Sequence, residues 1–341
     1  MRPGTATATA AGIVLSGLIG LGAVALARVA EGDDRARPVS LVKMPYRGER
    51  NLPDLSDSPD YLEQGGIQRL LEQQGCRVKP ASTVALTVAL TAEEKKAYGE
   101  WNRLGLANEH LARIVAADRK EGHLPVGLLA NCSALMGMLG GLQRSGPTSR
   151  PLRVGLVFID AHADFNTPET TLSGMLGGMP VAVSAGLCLT RLRLRSGLDP
   201  AVSERHIVLA GVRDTDPLEQ DLLDRSAIEL LSVDDIRARP ASIDRQMKRL
   251  SELTDVIYVH VDMDVLDPKE VAGHPLTVPN GPTSLELGAA LTEMFRHEKA
   301  AAFGVASTPS GDHDRDGLSR KAAYNLILAA VRGLQQRGSP R

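Results

Sequence analysis

The chain has few aromatic residues and almost no net charge for its length. Of 341 residues, 3% are Phe, Trp or Tyr, and the formal net charge is −2. Because phosphate binding needs a basic surface, this composition argues against nucleic acid as the main partner.

Cysteine is also scarce, and several familiar binding motifs are missing. The three cysteines, Cys76, Cys132 and Cys188, are odd in number and far apart. They do not form a disulfide framework, and a reducing compartment is the simpler inference. Neither a G-x-G-x-x-G pattern nor a P-loop is present, and the chain has no internal repeats.

The amino-terminal segment complicates the inference about the compartment. Residues 10–27 are apolar and free of charge. They form either a signal-peptide core, cleaved after the small residues of Ala25-Leu26-Ala27, or a short membrane anchor. The protein would then be exported or would contact a membrane through this segment. Alternatively, the true start codon lies downstream and the protein is cytoplasmic. In each case we expect residues 1–37 to lie outside a single α/β domain formed by residues 38–341.

A stretch in the middle of the chain combines a buried strand with three potential metal ligands. Residues 154–159 are apolar and include three β-branched residues, as in a strand buried on both faces. Asp160, His162 and Asp164 follow at spacings of two, which places side chains on one face of an extended backbone. Open α/β sheets bind their ligands at the carboxyl ends of strands.

A second stretch repeats this design. Residues 256–261 form another apolar run, which ends in Asp262 and Asp264. If the two strands are neighbours, four carboxylates meet, and a pair about 4 Å apart repels by roughly 4 kcal/mol at an effective dielectric near 20. A pair of divalent cations would relieve this repulsion and can generate a hydroxide nucleophile. The alternative is that these aspartates only cap turns and helices.

These two stretches resemble the metal-binding signatures of the ureohydrolase family, which includes arginases, agmatinases and formiminoglutamases. The matching segments are DAHADFNTPETTLSG (160–174) and HVDMDVLDP (260–268), and the similarity extends over most of residues 38–335. It implies a three-layer α/β/α fold with a mainly parallel central sheet and a trimeric or hexameric assembly. It also implies two manganese ions, whose bridging hydroxide attacks a guanidinium carbon.

The resemblance assigns the metal ligands residue by residue. Asp160, Asp164 and Asp262 would bind one ion, and Asp160, His162, Asp262 and Asp264 the other. Asp164 would also be catalytic, because it would hydrogen-bond to the hydroxide.

Three positions depart from the family pattern. Cys132 stands where the family has a histidine ligand; it is either a thiolate ligand, which favours zinc, iron or nickel over manganese, or a small buried residue. Gly177 stands at the position of a proton-transfer histidine. Ala306 replaces a glutamate that pairs with the guanidinium, and the nearby loop residues Asp312, His313 and Asp314 are either its replacement or simply solvated.

The substrate loops are closest to those of arginases. Asn166, Thr171 and Ser173 match residues that hold the α-carboxylate of arginine, and Asp216 and Glu219 match residues that receive its α-amino group. The alternative is that they form an ordinary turn, with a helix from near Ser173, and the amino-terminal cap of a second helix. His274 lies in a Pro- and Gly-rich loop, where a lone histidine is more often exposed to solvent than a ligand.

The remaining pattern predicts alternating strands and helices. Further strands are expected at residues 40–44, 83–90 (an edge strand), 124–130, 206–212, 228–232 and 301–307. Helices are expected at residues 61–74, 92–120, 217–224, 233–250, 285–298 and 321–336.

The leading functional hypothesis is a binuclear metal hydrolase that cleaves a C–N bond in a guanidino or amidino amino-acid-like substrate and releases urea, as arginases do. One alternative is a catalytically degenerate protein of the same fold that binds an amino acid. The other is a metal-dependent hydrolase of a different linear amidine or amide.

Overall fold

The computed structural model describes Met1 and residues 37–46, 55–85 and 92–338. Within these residues, eight strands form one sheet in the order β2-β1-β3-β8-β7-β4-β5-β6, and every neighbouring pair is parallel. The strands are β1 (Arg37–Met44), β2 (Cys76–Thr83), β3 (Leu124–Leu129), β4 (Val154–Ile159), β5 (Ile207–Ala210), β6 (Glu229–Leu231), β7 (Val256–Asp262) and β8 (Ala300–Ala306).

Helices connect the strands, as parallel pairing requires. They are α1 (Ser58–Gln64), α2 (Ile67–Gln73), α3 (Ala92–Lys120), α4 (Leu135–Gln143), α5 (Pro180–Ala185), α6 (Thr190–Arg195), α7 (Pro217–Asp224), α8 (Val233–Ala238), α9 (Pro240–Leu253), α10 (Ser284–Arg296) and α11 (Leu318–Gln335). Short 3₁₀ helices lie at Cys132–Ala134, Leu176–Gly178, Glu204–His206, Met263–Val265 and Gly311–His313.

The sheet is the middle of three layers. Along β4, Val157 and Ile159 point into a core that also contains residues of α1, α2 and α8–α11. Leu156 and Phe158 point into a second core with residues of α3–α7. Because helices cover both faces of the sheet, a central strand such as β4 is a continuous apolar run. The expected three-layer α/β/α fold is confirmed.

The strand order brings the two aspartate-bearing segments together. β4 and β7 are direct neighbours, with Ile159 opposite Val261. β8 lies on the other side of β7, with Ala306 opposite Asp262. The carboxyl ends of these strands therefore meet at one edge of the sheet, as predicted.

Two predicted helices are each broken in two. The helix expected at residues 61–74 is interrupted at Gly65 and Gly66, and Gly66 has a φ of +99°, which favours glycine. The helix expected at residues 233–250 is divided at Pro240, which begins α9, because proline lacks the N–H that a continuous helix needs.

Two other expectations about secondary structure differ from the structure. An edge strand lies at Cys76–Thr83; of the predicted residues 83–90, Thr83 ends this strand, residues 84 and 85 lie outside it, and residues 86–90 are outside the described residues. Pro80 disguises the strand, although an edge strand tolerates proline because one side is unpaired. No helix begins near Ser173; a 3₁₀ turn at Leu176–Gly178 precedes α5.

No helix in the described part of the chain is long and apolar enough to cross a membrane. Residues 10–27, for which a signal peptide or an anchor is predicted, lie outside the described residues.

Arg153 and Asp255 tie together the amino-terminal ends of β4 and β7. The Arg153 backbone N–H and one guanidinium nitrogen each donate to the Asp255 carboxylate at 2.8 Å. The Asp255 N–H donates in return to the Arg153 carbonyl at 2.8 Å. The hydrogen bond and charge of Arg153 lower the pKa of Asp255 to about 2.

We expect Asp255→Asn to lower the free energy of unfolding at pH 7 by roughly 1 kcal/mol, since the half-exposed guanidinium limits the effect. The folded pKa lies below the unfolded value, so this stabilisation is present above about pH 4 and is lost as the pH falls towards 2. The difference from wild type in urea unfolding should therefore shrink below pH 4. Asp221→Asn, at an exposed site on α7, is the control; a difference that does not vary with pH contradicts the assignment.

Candidate metal centre

Six potential ligands meet at the carboxyl edge of the sheet and form three overlapping groups. Within each group, the ligand atoms lie within 4.8 Å of one another. The groups are Cys132, Asp160 and Asp262; Asp160, His162 and Asp264; and Asp262, Asp264 and His274. Because Asp160, Asp262 and Asp264 are each shared, the groups form one continuous centre.

Local turns aim the paired aspartates into this centre. Asp160 Oδ1 accepts the His162 N–H at 2.7 Å, and Asp262 Oδ1 accepts the Asp264 N–H at 3.1 Å. In each case a carboxylate caps the backbone two residues on, and its second oxygen remains for another partner. The predicted capping role and a role in metal binding are therefore compatible.

Asp164 lies beside the centre without belonging to any of the three groups. It is buried, lines the same cavity and has a φ of +47°, which is unusual for a residue other than glycine. Its side chain therefore does not continue the extended spacing of Asp160 and His162. Its assignment as a ligand and catalytic residue stays a prediction.

The centre is strongly acidic. Burial and neighbouring carboxylates raise the pKa values of Asp160, Asp164, Asp262 and Asp264. Burial opposes a charge on His162, but its contacts with Asp160 and Asp264, at 3.4 and 3.1 Å, raise its pKa to about 12.

No lysine or arginine lines the cavity in the described part of the chain. The nearby Arg213 guanidinium donates instead to backbone carbonyls, including those of Gly211, Val265 and Val278. Several carboxylates, the His162 imidazole and a thiol, with no lysine or arginine among them, form a donor set that fits two divalent ions.

Cys132 belongs to a buried series of hydrogen bonds that was not predicted from the sequence. Cys132 Sγ donates to Asp262 Oδ2 at 2.7 Å, so its sulfur accepts from His260 Nε2 at 3.2 Å. His260 Nδ1 is then the acceptor for the Tyr258 hydroxyl at 2.9 Å. Burial raises the pKa of Cys132 and lowers that of His260 to about 3.

The sequence contains a signal for this series of hydrogen bonds. Tyr258, His260 and Asp262 alternate along β7 and therefore share one face. On the same side, Phe158 of β4 stacks on the His260 ring, with centroids 5.0 Å apart. Gly304 leaves space for the tyrosine, because a Cβ there would lie 2.1 Å from the Tyr258 hydroxyl.

Two further residues of the centre were not foreseen. Ser307, just beyond β8, donates from its hydroxyl to Asp262 Oδ2 at 2.7 Å. His274 is 6% exposed, and its Nε2 lies 3.7 Å from Asp262 Oδ1. The expectation that His274 is exposed to solvent is therefore wrong.

The loop that follows β8 does not supply a replacement for the glutamate missing at Ala306. Asp312 and His313 are exposed and line a different cavity. Asp314 accepts the backbone N–H groups of Ser319 and Arg320 at 2.8 and 2.9 Å, at the beginning of α11.

A cavity of about 280 Å³ opens over the centre. Four predicted substrate-binding residues line it, namely Asn166, Ser173, Asp216 and Glu219; Thr171 lies next to it, with its hydroxyl 3.3 Å from that of Ser173. Gly177 also lines this cavity.

Two of these residues already have partners within the protein. Asp216 accepts the Asn166 side-chain N–H and the Leu172 N–H, both at 3.2 Å. Glu219 is buried and accepts the N–H groups of Phe165 and Asp216, at 2.8 and 3.2 Å. The capping alternative is thus observed at Glu219, and contact with substrate stays a prediction.

Comparison with known proteins identifies the family. The model of the arginase family matches residues 38–331, so the chain belongs to this family. The arginase of Brevibacillus brevis is 26% identical over 291 residues, covering 85% of this chain and 96% of that protein. Human arginase-1 is 27% identical over 246 residues, covering 69% and 73%.

Solved structures share the fold. An arginase from Bacillus subtilis superposes with a TM-score of 0.74 at 23% identity, covering 87% of this chain and 99% of that one. The formimidoylglutamase of Bacillus subtilis has a TM-score of 0.67 at 17% identity, covering 90% of each chain. At these identities the likeness shows the fold alone.

Asp160→Asn should weaken metal binding without destabilising the fold. The amide can still accept the His162 N–H, and the change removes one repelling charge, so we expect the melting temperature of the metal-free protein to hold or rise. In wild type, we expect a divalent ion at about 100 times its dissociation constant to raise the free energy of unfolding by about 2.7 kcal/mol and the melting temperature by roughly 5 °C. Differential scanning fluorimetry should show that the variant loses this increase.

Asp214→Asn is the matched control. Asp214 is an exposed carboxylate 3.9 Å from His162 Nε2 and outside the three groups. We expect this variant to keep the increase produced by metal; an equal increase in Asp160→Asn would contradict the assignment.

Proposed function

We propose that the protein is a metal-dependent hydrolase that cleaves a C–N bond at the end of a small amino-acid-like substrate. The family relationship favours a guanidino or amidino group, as in an arginase that releases urea. A linear amide is the second candidate, because Ala306 offers no carboxylate to pair with a guanidinium.

The observation that carries this proposal is the continuity of the three ligand groups through shared carboxylates. Shared carboxylates hold two cations close together, and such a pair can supply a water-derived nucleophile at neutral pH. The cavity above the centre has a polar wall that suits the head group of an amino acid, with Asn166, Ser173 and Asp216 among its residues.

We further propose that Cys132 is a metal ligand. Its sulfur already faces Asp160 and Asp262, at 3.9 and 2.7 Å. The N–H of His260 would stabilise the thiolate that ligation produces, as second partners of metal ligands do. A sulfur ligand favours zinc, iron or nickel at this position, whereas manganese suits the ligand set that lacks sulfur.

The oligomeric state and the cellular location of the protein are proposals that rest on the sequence. A trimer or hexamer is expected from the family, and export or membrane contact depends on residues 10–27.

The activity can be tested with the full chain, loaded in turn with manganese, zinc, iron or nickel. We expect urea or ammonia release from at least one compound in a panel of guanidino, amidino and amide derivatives of amino acids, with arginine and agmatine included. Asp262→Asn should reduce this release to background, because Asp262 belongs to two ligand groups.

Asp312→Asn, on the exposed loop outside the cavity, should retain full activity. Turnover that survives removal of all metal would refute the proposal. If no compound in the panel reacts with any metal, the catalytically degenerate alternative is favoured.

Ligation by Cys132 has a spectroscopic signature. Protein loaded with Co²⁺ should show near-ultraviolet charge-transfer absorption from thiolate to cobalt, which Cys132→Ser should abolish. His260→Ala should weaken metal binding about 10- to 100-fold, because the sulfur loses its N–H donor. Cys188→Ser is the control, since Cys188 lies outside the ligand groups; loss of the band in this variant, or its persistence in Cys132→Ser, would count against the ligand.

A further inference from the structure

His274 presents an unused polar atom to the centre. The residue is nine-tenths buried, lines the cavity and has no hydrogen-bond partner for Nε2 among the described residues. At 3.7 Å, Asp262 Oδ1 is too far away to accept a hydrogen bond from it. A buried polar atom of this kind is normally satisfied by a partner, which here would be a bound molecule or a metal ion.

The backbone determines which ring nitrogen carries the proton. The Leu276 N–H donates to His274 Nδ1 at 3.2 Å, so Nδ1 offers a lone pair. Because a neutral imidazole has a single N–H, the proton is on Nε2. His274 therefore faces the cavity as a hydrogen-bond donor. Coordination of a metal through Nε2 would require the proton to move to Nδ1, where it would oppose the Leu276 N–H.

The loop that carries His274 is held firmly. A Cβ on Gly273 would lie 1.9 Å from the His313 carbonyl oxygen, so the two loops are in close contact. Arg213 donates to the carbonyls of Val278 and Pro279, both at 2.9 Å. The His274 donor is thus positioned in advance.

A guanidinium does not match this donor. It carries five N–H groups and no acceptor, so it would meet the N–H of His274 without forming a hydrogen bond. Ala306, opposite Asp262 at the end of β8, offers it no carboxylate.

Other carboxylates of the cavity are poor substitutes. Asp214 lies 3.9 Å from His162 Nε2, and its side chain is 63% exposed and therefore well solvated. Asp216 and Glu219 accept backbone N–H groups. A neutral group with an acceptor oxygen fits the inner end of the cavity better.

We propose that the reacting group of the substrate is a carbonyl, in a ureido group or a carboxamide, and that His274 Nε2–H donates to its oxygen. This inference rests on the proposed function and narrows its substrate class. In the ureido case, the oxygen of water bonds to the carbonyl carbon and the bond to the chain nitrogen breaks. That nitrogen takes a proton from the water, and the carbamic acid released decomposes to ammonia and carbon dioxide.

The test uses L-arginine and L-citrulline, which share a head group and chain and differ only in a guanidinium or a ureido end. Calorimetric titration of the metal-loaded protein should show that citrulline binds at least about 10-fold more tightly than arginine. His274→Ala should weaken citrulline binding about 10-fold and leave arginine binding unchanged or stronger. His274→Gln, which retains an N–H at a similar position, should restore most of the citrulline affinity.

Equal binding of the two compounds, tighter binding of arginine or binding of neither would overturn the inference. So would loss of bound metal from both His274 variants in elemental analysis, because that result would make His274 a metal ligand. Binding affinity and metal content are measured without turnover. Their outcome is therefore independent of whether the proposed hydrolase activity is observed. Where turnover occurs, citrulline should yield ammonia without urea.

Discussion

The repulsion among buried carboxylates dominates the carboxyl edge of this sheet. Two carboxylates about 4 Å apart cost roughly 4 kcal/mol at an effective dielectric near 20, and a domain is stable by only about 5–15 kcal/mol in total. Backbone N–H groups, the Cys132 thiol and the Ser307 hydroxyl donate to Asp160 and Asp262. These bonds orient the carboxylates but bring no positive charge, and His162, whose pKa its contacts with Asp160 and Asp264 raise to about 12, offsets only part of the repulsion. Bound cations would resolve this conflict.

Much of the fold could be predicted because the strands are buried on both faces. Residues 154–159 and 256–261 form uninterrupted apolar runs, and each ends abruptly in alternating acidic residues. In a parallel sheet such ends share one edge, so the approach of Asp160 to Asp262 and Asp264 was expected if the two strands were neighbours, and β4 and β7 are. The edge strand at Cys76–Thr83 was missed because pairing on one side leaves a weaker and more polar pattern, with proline allowed.

The rest of the centre depends on loops and on long-range packing. His274 lies ten residues beyond Asp264 in a Pro- and Gly-rich segment, and only the contacts of Gly273 and Arg213 reveal that the loop folds back over the centre. Ser307 reaches Asp262 because β8 is the neighbour of β7, which no local pattern shows. For Tyr258 and His260, the alternation with Asp262 along β7 was visible in the sequence. Only the contact of His260 with Cys132 could not be predicted from it.

The departures from the family pattern are consistent with one another in physical terms. Cys132 is smaller than the histidine expected there, and the His260 ring lies behind its sulfur and supplies an N–H. The carboxylates of the candidate metal centre come from strand ends fixed by the sheet, whereas the groups that would contact substrate come from loops. Function lies in such sites and not in the fold that carries them. Under the role proposed for His274, the chain would keep the carboxylates that its family resemblance predicts, at 26% identity to one relative, while Ala306 and His274 would change which chemical group the cavity accepts.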